Sequence, residues 1–262
     1  MLDMVYFHLA PNLLHRMFKI GMPLKGQQFC PIKFTAINAQ INFEHKNLLV
    51  LAQFSPTYFY DQFENEKDEF FLATADLAKV IHQTFPRRHC ESIFFKTEKN
   101  LAHIVGDDNS QISVPLTPVP ENLRTSQYQP KMTEYGLMPE KDGKTPFFNV
   151  HARVPTEQFQ RGFPKKATES DIIMLGFDGN NIYCGISTGG INNTFQVRVE
   201  EFAVQREPIA VYFNKKEFMD FIKSFYGEVW FGIGKSGVIV SETNSEWKRT
   251  CLLKAEKVEE EL

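Results

Sequence analysis

Cysteine is scarce and scattered. Cys30, Cys90, Cys184 and Cys251 are the four in 262 residues, and no two form a C-x-x-C pair. That spacing argues against a zinc site and fits a reduced, intracellular compartment. No apolar run reaches the roughly 18 residues of a membrane span, so no membrane segment is expected. The opening stretch, MLDMVYFHLAPNLLHRMFKIG, lacks a basic start followed by an unbroken apolar run, and no secretory signal is read from it. His45, His89, His103 and His151 show no ligand spacing, and His15 and His82 read as polar surface groups. STGGINN is glycine-rich but has no Lys-Ser/Thr pair, which argues against a P-loop. Asp107, Asp108 and Asp178 could suggest two-metal nuclease chemistry. They sit in GDDNS and FDGNN, however, which have the composition of hairpin turns. No metal, cofactor or catalytic constellation is expected, and the chain does not read as an enzyme.

Neither sign of charge dominates. Lys and Arg number 29 against 32 Asp and Glu, for a formal net charge of −3. This balance argues against a protein that coats nucleic acid over its whole surface. It leaves room for one basic surface on an acidic body. Hydrophobic residues make up 42% and charged residues 23%, as in a packed globular protein. Phenylalanine is abundant at 25 residues, which tilts the expectation toward sheet. The length suits one large domain or two ordinary ones.

The chain repeats itself. In DLAKVIHQTFPRRH, Leu77, Val80, Ile81 and Phe85 share one helical face, and Pro86 stops the helix. Strand-like SIFFKT, NLAHIVG and QISVPL follow. From residue 214, Phe218, Phe221, Ile222 and Phe225 make the same stripe, with Gly227 as the stop. EVWFGIG, GVIVSET and KRTCLLKA then mirror the earlier strands. More loosely, HLAPNLLHRMF matches ARVPTEQFQRGF, with Pro11 and Pro155 each suited to a first helical turn. Residues 1–117 and 148–262 are therefore expected to be two like units, each with two short helices beside an antiparallel sheet. Residues 118–147 are proline-rich with little periodicity and read as a linker over the surface.

With the apolar stripes packed on a sheet, the other helix faces are basic. The first carries His15, Arg16 and Lys19, and the second Lys79 and His82, with Arg87 and Arg88 just beyond. The third carries Arg161, then Lys165 and Lys166, and the fourth Lys215, Lys216 and Lys223. Compensating acids collect elsewhere, in ENEKDEF and in the tail EKVEEEL.

At this point the sequence resembles a sliding clamp of the proliferating cell nuclear antigen (PCNA) family, as a divergent member. The resemblance spans nearly the whole chain. It rests on FSPTYFYDQF with FFLATADLAKVIHQTF, on SIFFKTEKNLAHIVGDDNSQISVPLTPV, on ARVPTEQFQRGF with SDIIMLGFDGNNIYCGISTGG, and on RTCLLKAEKVEEEL. It implies an α+β DNA-clamp fold of two pseudo-repeated domains that closes into a homotrimeric ring. Such a ring encircles duplex DNA without reading sequence, works with a clamp loader, and tethers DNA polymerase and repair enzymes as a processivity factor without catalysing anything. These basic helix faces would line the hole, since lysine and arginine near phosphates attract any sequence. The setting would be intracellular, with the DNA.

The resemblance also implies a front pocket for short hydrophobic partner peptides, lined here by Ile37, Tyr135, Leu137, Met138, Leu253 and Ala255. The linker's Tyr128, Met132, Tyr135, Leu137 and Met138 fit two readings: an adaptable interface, or anchors pinning the linker to its own sheet. Ring closure would pair SQISVPL, through Ile112 and Val114, with TFQVRVE of the next copy, through Val197 and Val199. Pro115 suits such an edge. Four features depart from the family pattern. GFPKK cuts the third helix short, GMPLKG is expected to shorten the opening helix, the linker is long, and Ala255 is followed by Glu256 rather than proline. An alternative therefore stands: a clamp-fold subunit of a heterotrimeric checkpoint-type or transcription-associated ring that does not close by itself.

Overall fold

The computed structural model describes residues 6–35, 38–59, 69–86, 90–98, 101–120, 123, 126–161, 171–188 and 191–259. The first half runs β1 (Tyr6–Leu9), α1 (Pro11–Gly21), β2 (Phe29–Phe34), β3 (Ala39–His45), β4 (Leu48–Phe54), a 3-10 turn (Pro56–Tyr58), β5 (Glu69–Thr74), α2 (Ala75–Thr84), β6 (Ile93–Glu98), β7 (Leu101–Gly106) and β8 (Gln111–Pro115). A hairpin follows, β9 (Gln129–Thr133) and β10 (Gly136–Glu140). The second half runs β11 (Val150–Pro155), α3 (Glu157–Arg161), β12 (Ile172–Phe177), β13 (Ile182–Thr188), β14 (Ile191–Gln196), β15 (Glu201–Gln205), β16 (Ile209–Asn214), α4 (Lys215–Lys223), β17 (Glu228–Gly234), β18 (Gly237–Thr243), β19 (Trp247–Lys254) and β20 (Lys257–Glu259).

The two longer interior helices start the same way. Thr74 Oγ1 accepts the Leu77 N–H at 3.1 Å, and Asn214 Oδ1 accepts the Glu217 N–H at 3.2 Å, so each side chain satisfies a donor the helix itself leaves open. α1 instead begins on Pro11, whose missing N–H costs nothing there. Pro155 does not share that role. It ends β11, and α3 begins at Glu157, because residues 150–155 are held as a strand between β15 and β17.

All strand pairs are antiparallel, and they form one nine-stranded sheet, two smaller sheets and the hairpin. The large sheet has the order β15-β11-β17-β18-β19-β4-β3-β2-β5. Its seam is β19 on β4, from Trp247 opposite Phe54 to Leu253 opposite Leu48. The flanking sheets are β1-β6-β7-β8 and β14-β13-β12-β16-β20.

The helices cover one face of this sheet system. Leu14, Met17 and Phe18 of α1, Leu77 and Ile81 of α2, and Phe218, Phe221 and Ile222 of α4 are buried in the main core. Phenylalanine supplies much of its volume. The rings of Phe7 and Phe95 stack 4.5 Å apart, and Phe159 stacks on Phe231 at 5.3 Å. The opposite face of the seam carries a second, smaller cluster: Leu49, Leu51, Ile239 and Leu252, capped by Leu137 and Met138 from the hairpin.

Candidate nucleic-acid interface and partner surface

The helix faces turned away from the core carry most of the cations that the sequence pattern singled out. Arg16, Lys19, Lys79, His82, Arg161, Lys216 and Lys223 are all exposed. Lys19, Lys79 and Lys223 make no ion pair among the described residues, and Arg16 is only 3.9 Å from Glu246. Exposed, unpaired cations keep their full charge for phosphate. α1 and α2 pack side by side, with the His15 and His82 rings stacked 5.0 Å apart. Burial, with Lys19 and His82 adding repulsion, holds His15 below its usual range, so it contributes little positive charge at neutral pH.

Lys215 is a correction. Its side chain is 0% exposed and its Nζ lies 3.0 Å from Asp171 Oδ2, itself 4% exposed. At the first position of α4 it shares the face of Phe218, Met219 and Ile222, so it points into the protein and cannot face DNA. Arg87, Arg88, Lys165 and Lys166 lie outside the described residues.

Among the described residues, those expected to line the peptide pocket do not share one face. Leu137 and Met138 are buried in the small cluster over the seam, while Leu253 is buried in the main core on the other face, because successive strand residues point to opposite sides. Ala255 packs against that main core too. Tyr135 lies against His151 and Trp230, with ring centroids 4.6 and 5.1 Å away. Ile37 lies outside the described residues. The hairpin is tied down by polar bonds as well: Thr250 Oγ1 donates to the Leu137 carbonyl, and Asn42 Nδ2 donates to the Tyr128 carbonyl at 2.6 Å. Of the two readings of the linker's apolar residues, anchoring describes Leu137 and Met138. The linker also contains a strand pair where no element was expected.

β8 and β14 are both terminal strands of their sheets. Ile112 and Val114 are half-buried on β8 and pack against the main core. Val197 and Val199 are not on a strand. β14 stops at Gln196, and the chain turns to begin β15 in another sheet. Val197 is buried, with its N–H on the Ile182 carbonyl at 2.8 Å, so it presents no edge. Val199 is half-buried against the core, and the turn is held by Gln158, whose Oε1 accepts the Arg198 N–H at 2.6 Å.

The aspartates serve turns. Asp178 Oδ1 accepts the N–H groups of Asn180 and Asn181 at 2.8 and 2.7 Å, and those bonds hold its carboxyl below the usual range. Asp107 accepts from the N–H of Glu91 and of Ser92. Cys90, Asp107 and Asp108 do bring possible ligand atoms within 4.8 Å of one another, a grouping their spacing in sequence did not suggest. Backbone donors occupy both carboxylates: Asp107 takes N–H groups of the segment leading into β6, and Asp108 takes that of Ser110 in its own turn.

Sequence comparison finds little: no protein-family model and no curated protein sequence matches. Comparison of folds is different. PCNA from Thermococcus kodakaraensis superposes with a TM-score of 0.72 at 11% identity, covering 96% of this chain and 99% of that one. The chain has the sliding-clamp fold. A. fulgidus PCNA bound to the C-terminal region of FEN-1 gives 0.71 at 11% identity, with 98% and 99% covered. The PCNA2–PCNA3 complex of Sulfolobus tokodaii gives 0.70 at 11%, with 96% and 99% covered. Among the described residues, no helix is long and apolar enough to cross a membrane.

Proposed function

We propose that this protein is a divergent PCNA-family sliding clamp that encircles duplex DNA and acts as a non-catalytic processivity factor, tethering DNA polymerase and repair enzymes inside the cell. Its units are two clamp domains, 1–117 and 148–262, joined by residues 118–147. One observation carries the reading. In the repeat, β4 corresponds to β14 and β19 to β8. β4 and β19 pair with each other inside the chain, whereas β8 and β14 each have a neighbour on one side only. The same junction made between copies joins β8 of one to β14 of the next. Repeated head to tail, that heterologous contact closes a ring. The helix faces carrying Lys19, Lys79, Lys216 and Lys223 then line its hole.

The first test is the solution mass by light scattering across a salt series. One chain is 30.3 kDa, so a self-closing trimer is about 91 kDa. That mass, together with retention on circular but not linear DNA, is the expected result. A monomer at every salt concentration overturns self-closure.

A second reading is favoured by the character of the edges. The internal seam is lined by Leu48, Leu49, Val50 and Leu51, all buried. β14 offers exposed Asn193, Thr194 and Gln196, and β8 ends on Pro115, which has no N–H to donate. Edges so unlike the seam suit a different subunit, as in a heterotrimeric checkpoint-type or transcription-associated ring. Loading by a clamp loader and capture of short hydrophobic peptides belong to either reading. The A. fulgidus clamp is bound by the C-terminal region of a partner, FEN-1.

A further inference from the structure

Between α1 and the end of α4, on the helix-bearing side, lies a groove of about 940 Å³. α1 and residues 22–25 form one wall, α4 and Tyr226 the other, and β18 and β19 the floor. Three features of it are unexplained by packing. First, Tyr226 is 78% exposed, the most exposed large apolar side chain among the described residues, and it lines this groove. Second, the charge is unbalanced. Glu228 and Glu242 are matched by Arg153, at 3.2 Å, and by Arg249. That leaves Lys19, Lys25 and Lys223 facing Asp220, and none of these four has an ion pair among the described residues. Third, two N–H donors at the floor have no acceptor among the described residues: Trp247 Nε1 and Arg249 Nε, on residues 8% and 2% exposed.

We infer that this groove binds an unpaired segment of single-stranded DNA, with Tyr226 as a stacking platform for a base and Lys19, Lys25 and Lys223 as phosphate contacts. The combination of an exposed aromatic ring and a cationic track is what sequence-tolerant single-strand binding requires. A duplex can share the lysines but has no base face to offer Tyr226, because paired bases already spend their faces on each other and present only edges and phosphates. A purely electrostatic duplex contact has no use for Tyr226. The inference extends the DNA-binding reading to an unpaired strand, and it does not depend on ring closure.

The test is fluorescence anisotropy of the intact protein with labelled oligodeoxythymidylate, beside retention on closed circular duplex. Tyr226→Ala should weaken oligonucleotide binding about tenfold, while Tyr226→Phe keeps it within about twofold. Neither should alter duplex retention. Tryptophan emission gives a second readout that locates the site: the oligonucleotide should quench wild type and Trp230→Phe, but not Trp247→Phe. Equal oligonucleotide affinity in Tyr226→Ala and wild type overturns the inference, as does a quench that survives Trp247→Phe. Binding of an acidic peptide with no oligonucleotide binding overturns it in favour of a protein ligand. Wild type that fails to stay on circular duplex, yet binds the oligonucleotide through Tyr226, overturns the ring and supports the groove.

Discussion

Lys215 Nζ sits 3.0 Å from Asp171 Oδ2, and the two side chains are almost completely enclosed. The pair joins the start of α4 to the residue just before β12, reinforced by the Lys215 N–H on the Asp171 carbonyl at 2.9 Å. Removing either partner leaves the other's buried charge without this counter-ion. Asp171→Leu or Lys215→Met should each cost about 3 kcal/mol or more in urea unfolding. The double variant Asp171→Leu/Lys215→Met removes both charges and should recover most of that loss. A double variant as unstable as the sum of the singles would refute the pairing.

His151 should make stability depend on pH. It is wholly buried among Tyr135, Phe148 and Trp230, and burial pushes its pKa down from 6.5 to about 4. The unfolded chain takes up this proton near 6.5, the folded one only near 4. Between those values the unfolded state holds more protons, so acid favours unfolding. The contribution is intact above pH 6.5 and drains away as the pH falls to about 4, by about 3 kcal/mol in all. His15, also shifted down by burial, adds in the same direction. His151→Phe keeps an aromatic ring in the box and should flatten the stability–pH curve over this window. An unchanged slope in that variant would assign the effect elsewhere.

Much of the fold was legible because the repeat presents each signal twice. The stripes Leu77-Ile81 and Phe218-Ile222 both predict helices that bury one face, and Thr74 and Asn214 cap them at matching places. The hairpin at 129–140 was not legible. Pro130 stands opposite Pro139, and two prolines erase the usual strand signature. Lys215 could have been caught, since it is spaced three, four and seven residues from Phe218, Met219 and Ile222. Charge counted per segment hid what the helical period reveals. Val197 and Val199 failed differently. Their alternation looks like a strand, but the chain changes sheets there, a choice made by partners far away in sequence. The groove beside Tyr226 needs residues from both halves and has no local signature at all.

The hairpin supplies a contrast between two methionines. Met138 is buried in the cluster with Leu49, Leu51, Ile239 and Leu252, whereas Met132 is exposed, with Lys248 Nζ 3.7 Å from its sulfur. Met138→Ala should therefore cost about 2–5 kcal/mol by opening a cavity over the seam. Met132→Ala should stay within about 0.5 kcal/mol. Equal effects in urea unfolding would mean that the hairpin does not rest on this face in solution. A partner peptide aimed at the same cluster must first lift Met138 and Leu137 out of it, so any such peptide should bind more tightly when both are replaced by alanine.

Retention on DNA should report the helix faces one lysine at a time. Lys79 and Lys223 are exposed and unpaired, and Lys216 is exposed beside buried Lys215. Each cation that neutralises a phosphate releases about one counterion, so each charge removed lowers the salt slope by about one. Lys79→Ala, Lys216→Ala and Lys223→Ala should thus shorten the time spent on circular duplex and make it less salt-sensitive, and charge reversal to Glu should do so more strongly. The shift should be the same for every DNA sequence, because phosphate contacts carry no base information. The decisive comparison is between neighbours. Lys216→Ala should weaken retention without unfolding the protein. Lys215→Met should unfold it more readily and, where folded, hold DNA as well as wild type. Retention that survives reversal of Lys79, Lys216 and Lys223 together would mean that DNA does not pass along these helices.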